Sequence, residues 1–350
     1  MAKQVKAALV AALVIFVVAG AVMTGGWTLA LTQGVAGAAT LTAAGMAAIT
    51  FGTTLLTSLI GGMTSKGMDA SSGNFGSKFA TRSATAPRQI IYGKTRVGGT
   101  IVHMETSGVD NYLLHMVIAI SGHEIEELTN IRLNDKDLTT STSTISGSTV
   151  YTVTNSDYTN TDNDNNFGSG RLMRYTFSDG SQTAVDAFMN AQLSSMGTSD
   201  KFLGMSYIYM QMVFDSEKFG GGIPATSFLV KGKKVYDPRN NSTAWSDNPA
   251  LIIRDYLTNT EYGLKAQTVE INDTTNAGGF ASAANTCDQN VTLADGSTTE
   301  KRYTANGFTN FSASGNGIIE SILSSMAGKM SYVNGQFNVF AGASQTPSLT

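Results

Sequence analysis

The strongest constraint on this chain is a long stretch with almost no charge. From Met1 to Ser65 the only charged side chains are Lys3 and Lys6. A helix that is apolar on every side has to be buried, in lipid or in protein. Ala7–Met23 (AALVAALVIFVVAGAVM) is an unbroken apolar run, and three readings of it stand open. One is a secretory leader, with Lys3 and Lys6 as the basic region, Ala7–Val18 as the core and Ala19-Gly20-Ala21 as a small-residue cleavage site. The second is a membrane helix, since about 17 residues is the short end of what spans a bilayer. The third is a helix buried in an oligomer. Trp27–Met63 is again free of charge and rich in Ala, Gly and Thr, which does not suit the start of a mature secreted domain. Gly25-Gly26 fits a turn between two helices, and Gly34, Ala38, Thr42 and Gly45 would let helices approach closely. The expectation is an N-terminal hydrophobic helical hairpin over 1–64, then a polar Gly/Ser/Thr-rich linker over 65–86.

The remainder of the chain is of another kind. All 26 acidic residues and all but two of the 23 Lys and Arg lie beyond Ser65. A net charge of −3 offers no basic field for nucleic acid. The single cysteine, Cys287, excludes an internal disulfide framework and any site needing several thiolates. His103, His115 and His123 are the only histidines, a thin supply for a catalytic or metal constellation.

Strand patterns dominate this part. Pro87–Val102 reads as two short strands about a Gly-rich turn. Leu113–Ser121 (LLHMVIAIS) is nearly continuous apolar, which fits a strand buried on both faces. Ile125–Leu133, Gly204–Phe214 and Thr226–Val235 are further strands, and Asp186–Met196 is a short helix. Thr139–Gly170 is dominated by Thr, Ser, Asn and Asp and reads as an exposed variable loop with one edge strand over Val150–Val153. Asn248-Pro249 is a helix start, Asn as cap and Pro at the first helical position, with Gly263 as a stop. Phe280–Asp288 and Gly317–Gly328 are two more helices. Lys329–Ala341 reads as a hairpin turning at Asn334-Gly335. The fold class expected is α+β, mainly antiparallel and barrel-like, with short helices. It divides into a β-rich domain over 87–236 and an α+β domain over 237–350.

Motifs for chemistry are weak. Gly93-Lys94-Thr95 matches the end of a phosphate-binding loop, but Arg88 stands where its first glycine belongs. Asp162-Asn163-Asp164-Asn165-Asn166 opens like a calcium loop, yet Phe167 and Met173 occupy the positions of its glycine and its glutamate. His123-Glu124 lacks the second histidine of a zinc helix. Glu124, Glu126 and Glu127 could pass for paired catalytic carboxylates, and a solvated rim is the simpler reading. His115 reads as a satisfied core histidine, Cys287 as a small hydrophobe and Trp245 as a buried anchor. No catalytic, cofactor or metal residue is assigned, and no enzyme activity is expected.

Several phrases carry a resemblance. APRQIIYGKTRVGGTIV (Ala86–Val102), LHMVIAISGHEIEELTNIRLND (Leu114–Asp135), KGKKVYDPR (Lys231–Arg239) and WSDNPALIIRDYLTNTEYGL (Trp245–Leu264) occur in that order. RYTANGF (Arg302–Phe308) and ILSSMAGKMSYVNGQFNVFAG (Ile322–Gly342) follow them. Together they resemble the tail-tip attachment family of long-tailed bacteriophages, the host-specificity protein J family of lambda-like phages. The resemblance implies a structural virion protein: a homotrimer forming the central hub at the distal tip of the tail. It implies contacts with the distal tail protein ring, the tape-measure protein and other tail-tip or receptor-binding proteins, closure of the tail tube, and opening for DNA ejection. Members usually carry long C-terminal extensions that reach the receptor. The residues up to Thr350 include none, which leaves host attachment to other proteins or to further chain. On this reading residues 1–63 form a plug or channel lining that meets the host membrane. The alternative is a bacterial membrane-anchored binding protein with a β-rich ligand module. A peptidoglycan-degrading tail enzyme would need a catalytic acid that the sequence does not offer.

Overall fold

The computed structural model describes residues 31–33, 39–41, 81–82, 86–220 and 222–343. Its strands are β1 (Gln89–Tyr92), β2 (Lys94–Val97), β3 (Thr100–Ser107), β4 (Leu113–Ser121), β5 (Glu127–Leu133), β6 (Thr140–Ile145), β7 (Ser148–Val153) and β8 (Met173–Ser178). They continue with β9 (Ser206–Val213), β10 (Thr226–Lys231), β11 (Lys234–Asp237), β12 (Ser242–Trp245), β13 (Gly307–Asn310), β14 (Lys329–Val333) and β15 (Gln336–Phe340). The helices are α1 (Ala187–Gln192), α2 (Pro249–Thr258), α3 (Phe280–Cys287) and α4 (Gly315–Ser325).

Two open sheets lie over one apolar core. The larger runs β6-β7-β8-β9-β4-β3, with Thr81–Arg82 added in parallel at the end of β3. The smaller runs β2-β10-β5, with Lys136–Asp137 at its edge. Leu114, Met116, Ile118, Ile208, Met210 and Met212 from the first meet Val97, Ile131, Leu133, Phe228 and Val230 from the second. The two-residue period of a strand sends the alternate residues the other way. Val117, Val150, Tyr207 and Tyr209 therefore face outward, where Phe188 and Met189 of α1 and then Leu193 cover them. That second cover is why Leu113–Ser121 is apolar on both faces apart from His115 and Ser121.

The expected barrel does not close. Among the described residues both sheets end in unpaired edges, and β6 shows the reason: Thr140–Thr144 is exposed along its length, a Thr/Ser strand suited to water and not to a seam. The expected loop over 139–170 is also corrected here. Its first half is the β6–β7 hairpin in unbroken antiparallel register, and Val150 and Val153 are fully buried, one on each face of the sheet.

The second unit is organised by α2. Asn248 Oδ1 accepts the Ala250 N–H at 3.1 Å and Pro249 sits in the first turn, as the sequence implies. All of α2 is buried except Asp255 and Thr258. It packs against α3, α4, Val235, Val339 and Ala341. The β14–β15 hairpin turns through Asn334 and Gly335, with φ of 54° and 78°. Both are left-handed, the requirement that selects Asn-Gly in a two-residue hairpin loop.

Within the N-terminal 64 residues the described stretches, Leu31–Gln33 and Ala39–Leu41, form a two-stranded antiparallel ladder and not helix. The rest of the helical hairpin expected there, including Ala7–Met23, lies outside the described residues. Among the described residues no helix is long and apolar enough to cross a membrane.

Candidate functional site

β1 is the element on which the molecule turns. Ile91 packs into the sandwich core, while its neighbours Ile90 and Tyr92 pack into the core around α2. The strand pairs with β13. Its backbone also takes bonds from the sandwich side: Gly122 N–H to Gln89 O, Lys233 N–H to Ile91 O and Gly232 N–H to Gly93 O, each 2.8 Å. Trp245 Nε1 donates to Gly93 O at 3.2 Å. Gly93 has φ of 63°, and a Cβ there would lie 2.3 Å from Ala305 O. Gly93 is thus a tight left-handed turn between two strands, with Lys94 and Thr95 already in β2, and the three residues do not form a phosphate cradle. Trp245 is half-buried, less enclosed than the sequence suggested.

A polar cluster seals this joint. Tyr92 and Tyr262 both donate to Asp255 Oδ2, at 2.6 and 3.2 Å. Lys233 Nζ donates to Tyr262 Oη at 2.5 Å and lies 3.6 Å from Asp255 Oδ2. Burial first, then the Asp255 charge, raises both phenols well above their ordinary range. They remain protonated donors, so the cluster is a clamp on one carboxylate and holds no free base. On the other side of β1, His123 Nε2 accepts the Ile91 N–H at 2.9 Å and Nδ1 lies 2.7 Å from Glu124 O. A carbonyl can only accept, so Nδ1 carries the proton and the ring is neutral. Burial lowers the His123 pKa to about 4, and the nearby Lys233 charge adds to this.

A second polar group runs across the outer face of the larger sheet. Arg174, Gln211, His115 and Glu105 occupy one cross-strand row over β8, β9, β4 and β3. Arg174 Nε donates to Gln211 Oε1 at 2.5 Å, which turns the Gln211 amide nitrogen toward His115 Nδ1 at 3.3 Å. Tyr209 Oη lies 2.7 Å from the same nitrogen. With donors on Nδ1, the proton of the ring sits on Nε2 and points at Ser107 Oγ, 2.7 Å away. His115 therefore presents no lone pair to Ser107 and cannot draw a proton from it. Burial lowers its pKa to about 4. Glu105 accepts the Ser194 N–H at 3.0 Å and the Ser195 hydroxyl, and fastens the segment after α1 to the sheet edge. His103 Nε2 reaches both Ser195 Oγ, at 3.1 Å, and Glu105 Oε2, at 3.4 Å. A Ser–His–acid relay needs those partners on opposite ring nitrogens.

The other residues singled out from sequence are scattered. Glu124 and Glu126 flank Lys234 Nζ at 2.8 and 3.7 Å, and Glu127 pairs with Lys231 at 2.6 Å: an exposed rim of ion pairs. Asn160 and Asn163 turn their amides to Asp215 Oδ2, at 2.7 and 3.3 Å, so this loop is tied by hydrogen bonds. Among the described residues no group of three His, Cys, Asp or Glu could hold a metal ion. Cys287 is buried against Met326, Sγ to Sδ 3.8 Å, and burial pushes its thiol up to about 12. Sequence reasoning did not single out Tyr92, Lys233, Asp255 and Tyr262, or the row through Gln211. No spacing rule connects residues on separate elements; the one available signal was that the first four all fall inside the phrases quoted above.

No family model matches the chain, and no curated protein matches it. Among solved structures it is similar to a chain of the virion of a native gene transfer agent particle, with a TM-score of 0.37 and 13% identity. The likeness covers 72% of this chain and spans 60% of that one.

Proposed function

We propose that this chain is a structural virion protein, the trimeric central hub at the distal end of a phage tail. In this role it closes the tail tube, contacts the distal tail ring and the tape-measure protein, and opens for DNA ejection. Residues 1–63 face the lumen or the host membrane, and the hub takes part in host attachment. The reading assigns the chain no catalysis.

One observation carries the proposal. The phrases that resemble the tail-tip family are far apart in sequence but meet at the joint. Ala86–Val102 supplies Tyr92 and Gly93, Leu114–Asp135 supplies His123, Lys231–Arg239 supplies Lys233, and Trp245–Leu264 supplies Trp245, Asp255 and Tyr262. What they build is a hydrogen-bonded link between two β-containing units with unpaired sheet edges among the described residues, a part suited to bridging neighbours in a ring.

The test is stoichiometry and location in purified particles. Cross-linking mass spectrometry and electron microscopy with a labelled chain should give three copies at the tail tip, cross-linked to the distal ring. Recovery of the chain in the bacterial envelope and not in particles would replace this reading with the membrane-anchored binding protein.

A further inference from the structure

The outer face of the smaller sheet carries a charge pattern that the cores do not require. Val97, Phe228, Val230, Ile131 and Leu133 point inward. By the two-residue period Lys94, Arg96, Leu229, Lys231, Asn130 and Arg132 face out. Arg96 donates only to neutral acceptors: Asn130 Oδ1 at 2.8 Å, Ser227 Oγ at 3.2 Å and Ser227 O at 3.5 Å. Among the described residues no carboxylate lies within ion-pair distance of Arg96 or Lys94. Arg132 gives its Nε to Asp137 at 2.5 Å. Lys94 stands opposite Lys231 in the β2–β10 register, and Lys231 is held by Glu127.

This arrangement sets like charges beside one another on a chain that is acidic overall. Burial first, then the Arg132 charge, lowers the Arg96 pKa, against the opposing charges of Asp137 and Asp135. Like charges across neighbouring strands destabilise a sheet; Glu127 and Asp137 offset Lys231 and Arg132, whereas Arg96 and Lys94 have no such partner among the described residues. The hydrogen bonds to Ser227 and Asn130 hold the guanidinium still through Nη1 and Nη2 and leave Nε–H without an acceptor among the described residues. Nε–H together with a remaining Nη–H can grip a carboxylate through two parallel bonds.

We propose that this face is a docking surface for the carboxylates of a neighbouring protein subunit, with Arg96 as anchor and Arg132 and Lys94 beside it. A protein fits better than nucleic acid for two reasons. Leu229 puts a partly buried apolar residue at the centre of a charged rim, the layout of a protein interface. The excess of acids in the chain opposes a polyphosphate. The inference does not depend on the hub reading.

The test uses the full chain at low salt, with a fluorescent oligoglutamate peptide as the carboxylate probe and a short DNA duplex as the contrast. The peptide should bind, and Arg96→Glu with Arg132→Glu should weaken it by about tenfold or more. Arg96→Gln with Arg132→Gln, which removes the positive charges without introducing negative ones, should weaken it less. Lys201→Glu with Lys265→Glu, exposed cations elsewhere, should leave binding as it was. Self-association of the wild type that is lost in the Arg96→Glu/Arg132→Glu variant would support the proposal and name the subunit as a second copy. Absence of peptide binding, equal loss in the Lys201/Lys265 control, or duplex bound more tightly than peptide through the same arginines would overturn it.

Discussion

The sandwich and the unit built on α2 are held by different means. In the sandwich, most strands run to between six and nine residues and send alternate side chains into one core, and the backbone ladders extend over several neighbours, with bulges in β3–β4, β4–β9 and β5–β10. Around α2 the strands are short and occur in pairs: β11–β12, β14–β15 and the exposed Asn290–Thr292/Thr299–Lys301 arm. Two-stranded pairs are marginal alone in water, so one buried helix and its caps organise that half. The first region is stabilised by many redundant contacts. The second rests on a few, and β1 is where the two become one structure.

The largest predicted effects test that coupling. Ile90 and Ile91 are adjacent and fully buried, but in different cores. Ile91→Ala and Ile90→Ala should each cost about 2–5 kcal/mol. If β1 joins the units, calorimetry will show one transition shifted down in both variants. Two separated transitions, each moved by only one of the variants, would break the comparison. Next in size is a pH effect. His115 and His123 are held neutral with pKa values near 4, below the ordinary 6.5. Between those values the unfolded chain binds more protons than the folded one. Stability is therefore full above about pH 6.5 and falls as pH drops toward 4, by up to about 1.4 kcal/mol per pH unit for each ring. Denaturant midpoints across this window should show the slope, and His123→Gln should flatten it by about half.

Smaller effects sharpen the picture of the second unit. Asn248→Ala removes the cap bond to Ala250 and a buried bond from Nδ2 to Ala284 O at 2.9 Å. The loss should be about 1–2 kcal/mol in urea unfolding, more than a cap alone, because the Ala284 carbonyl between α2 and α3 loses a partner. Smallest of all, Glu124→Ala on the exposed rim should change stability by less than about 0.5 kcal/mol. On the hub reading it should leave infectivity intact; a large loss of infectivity would revive a carboxylate chemistry for that rim.

Much of the fold was legible wherever a local rule sufficed. Leu113–Ser121 is a doubly buried strand in sequence and in structure. Asn248-Pro249 opens α2, and Asn334-Gly335 turns the last hairpin. The polar segment after Thr139 was misread because Thr and Ser suit an edge strand and a loop equally. Only its pairing with β7, whose valines are buried, separates the two. Closure into a barrel was misjudged for a related reason: alternation marks a strand and its faces but carries no information on whether the outermost strands meet.

What the sequence by itself determined is therefore the set of elements and their faces. Strand period, helix caps and turn residues act over a few positions and can be read one segment at a time. The charge-free N-terminal stretch, the absence of a cysteine framework and the antiparallel character belong to the same level. The tertiary structure alone decided the joint and the polar row. Tyr92, Lys233 and the pair Asp255 and Tyr262 come from three separate segments, and Arg174, Gln211, His115 and Glu105 from four strands. Their protonation and hydrogen bonding follow from burial and from the partners that the fold places around them, and neither exists until the sheets have stacked.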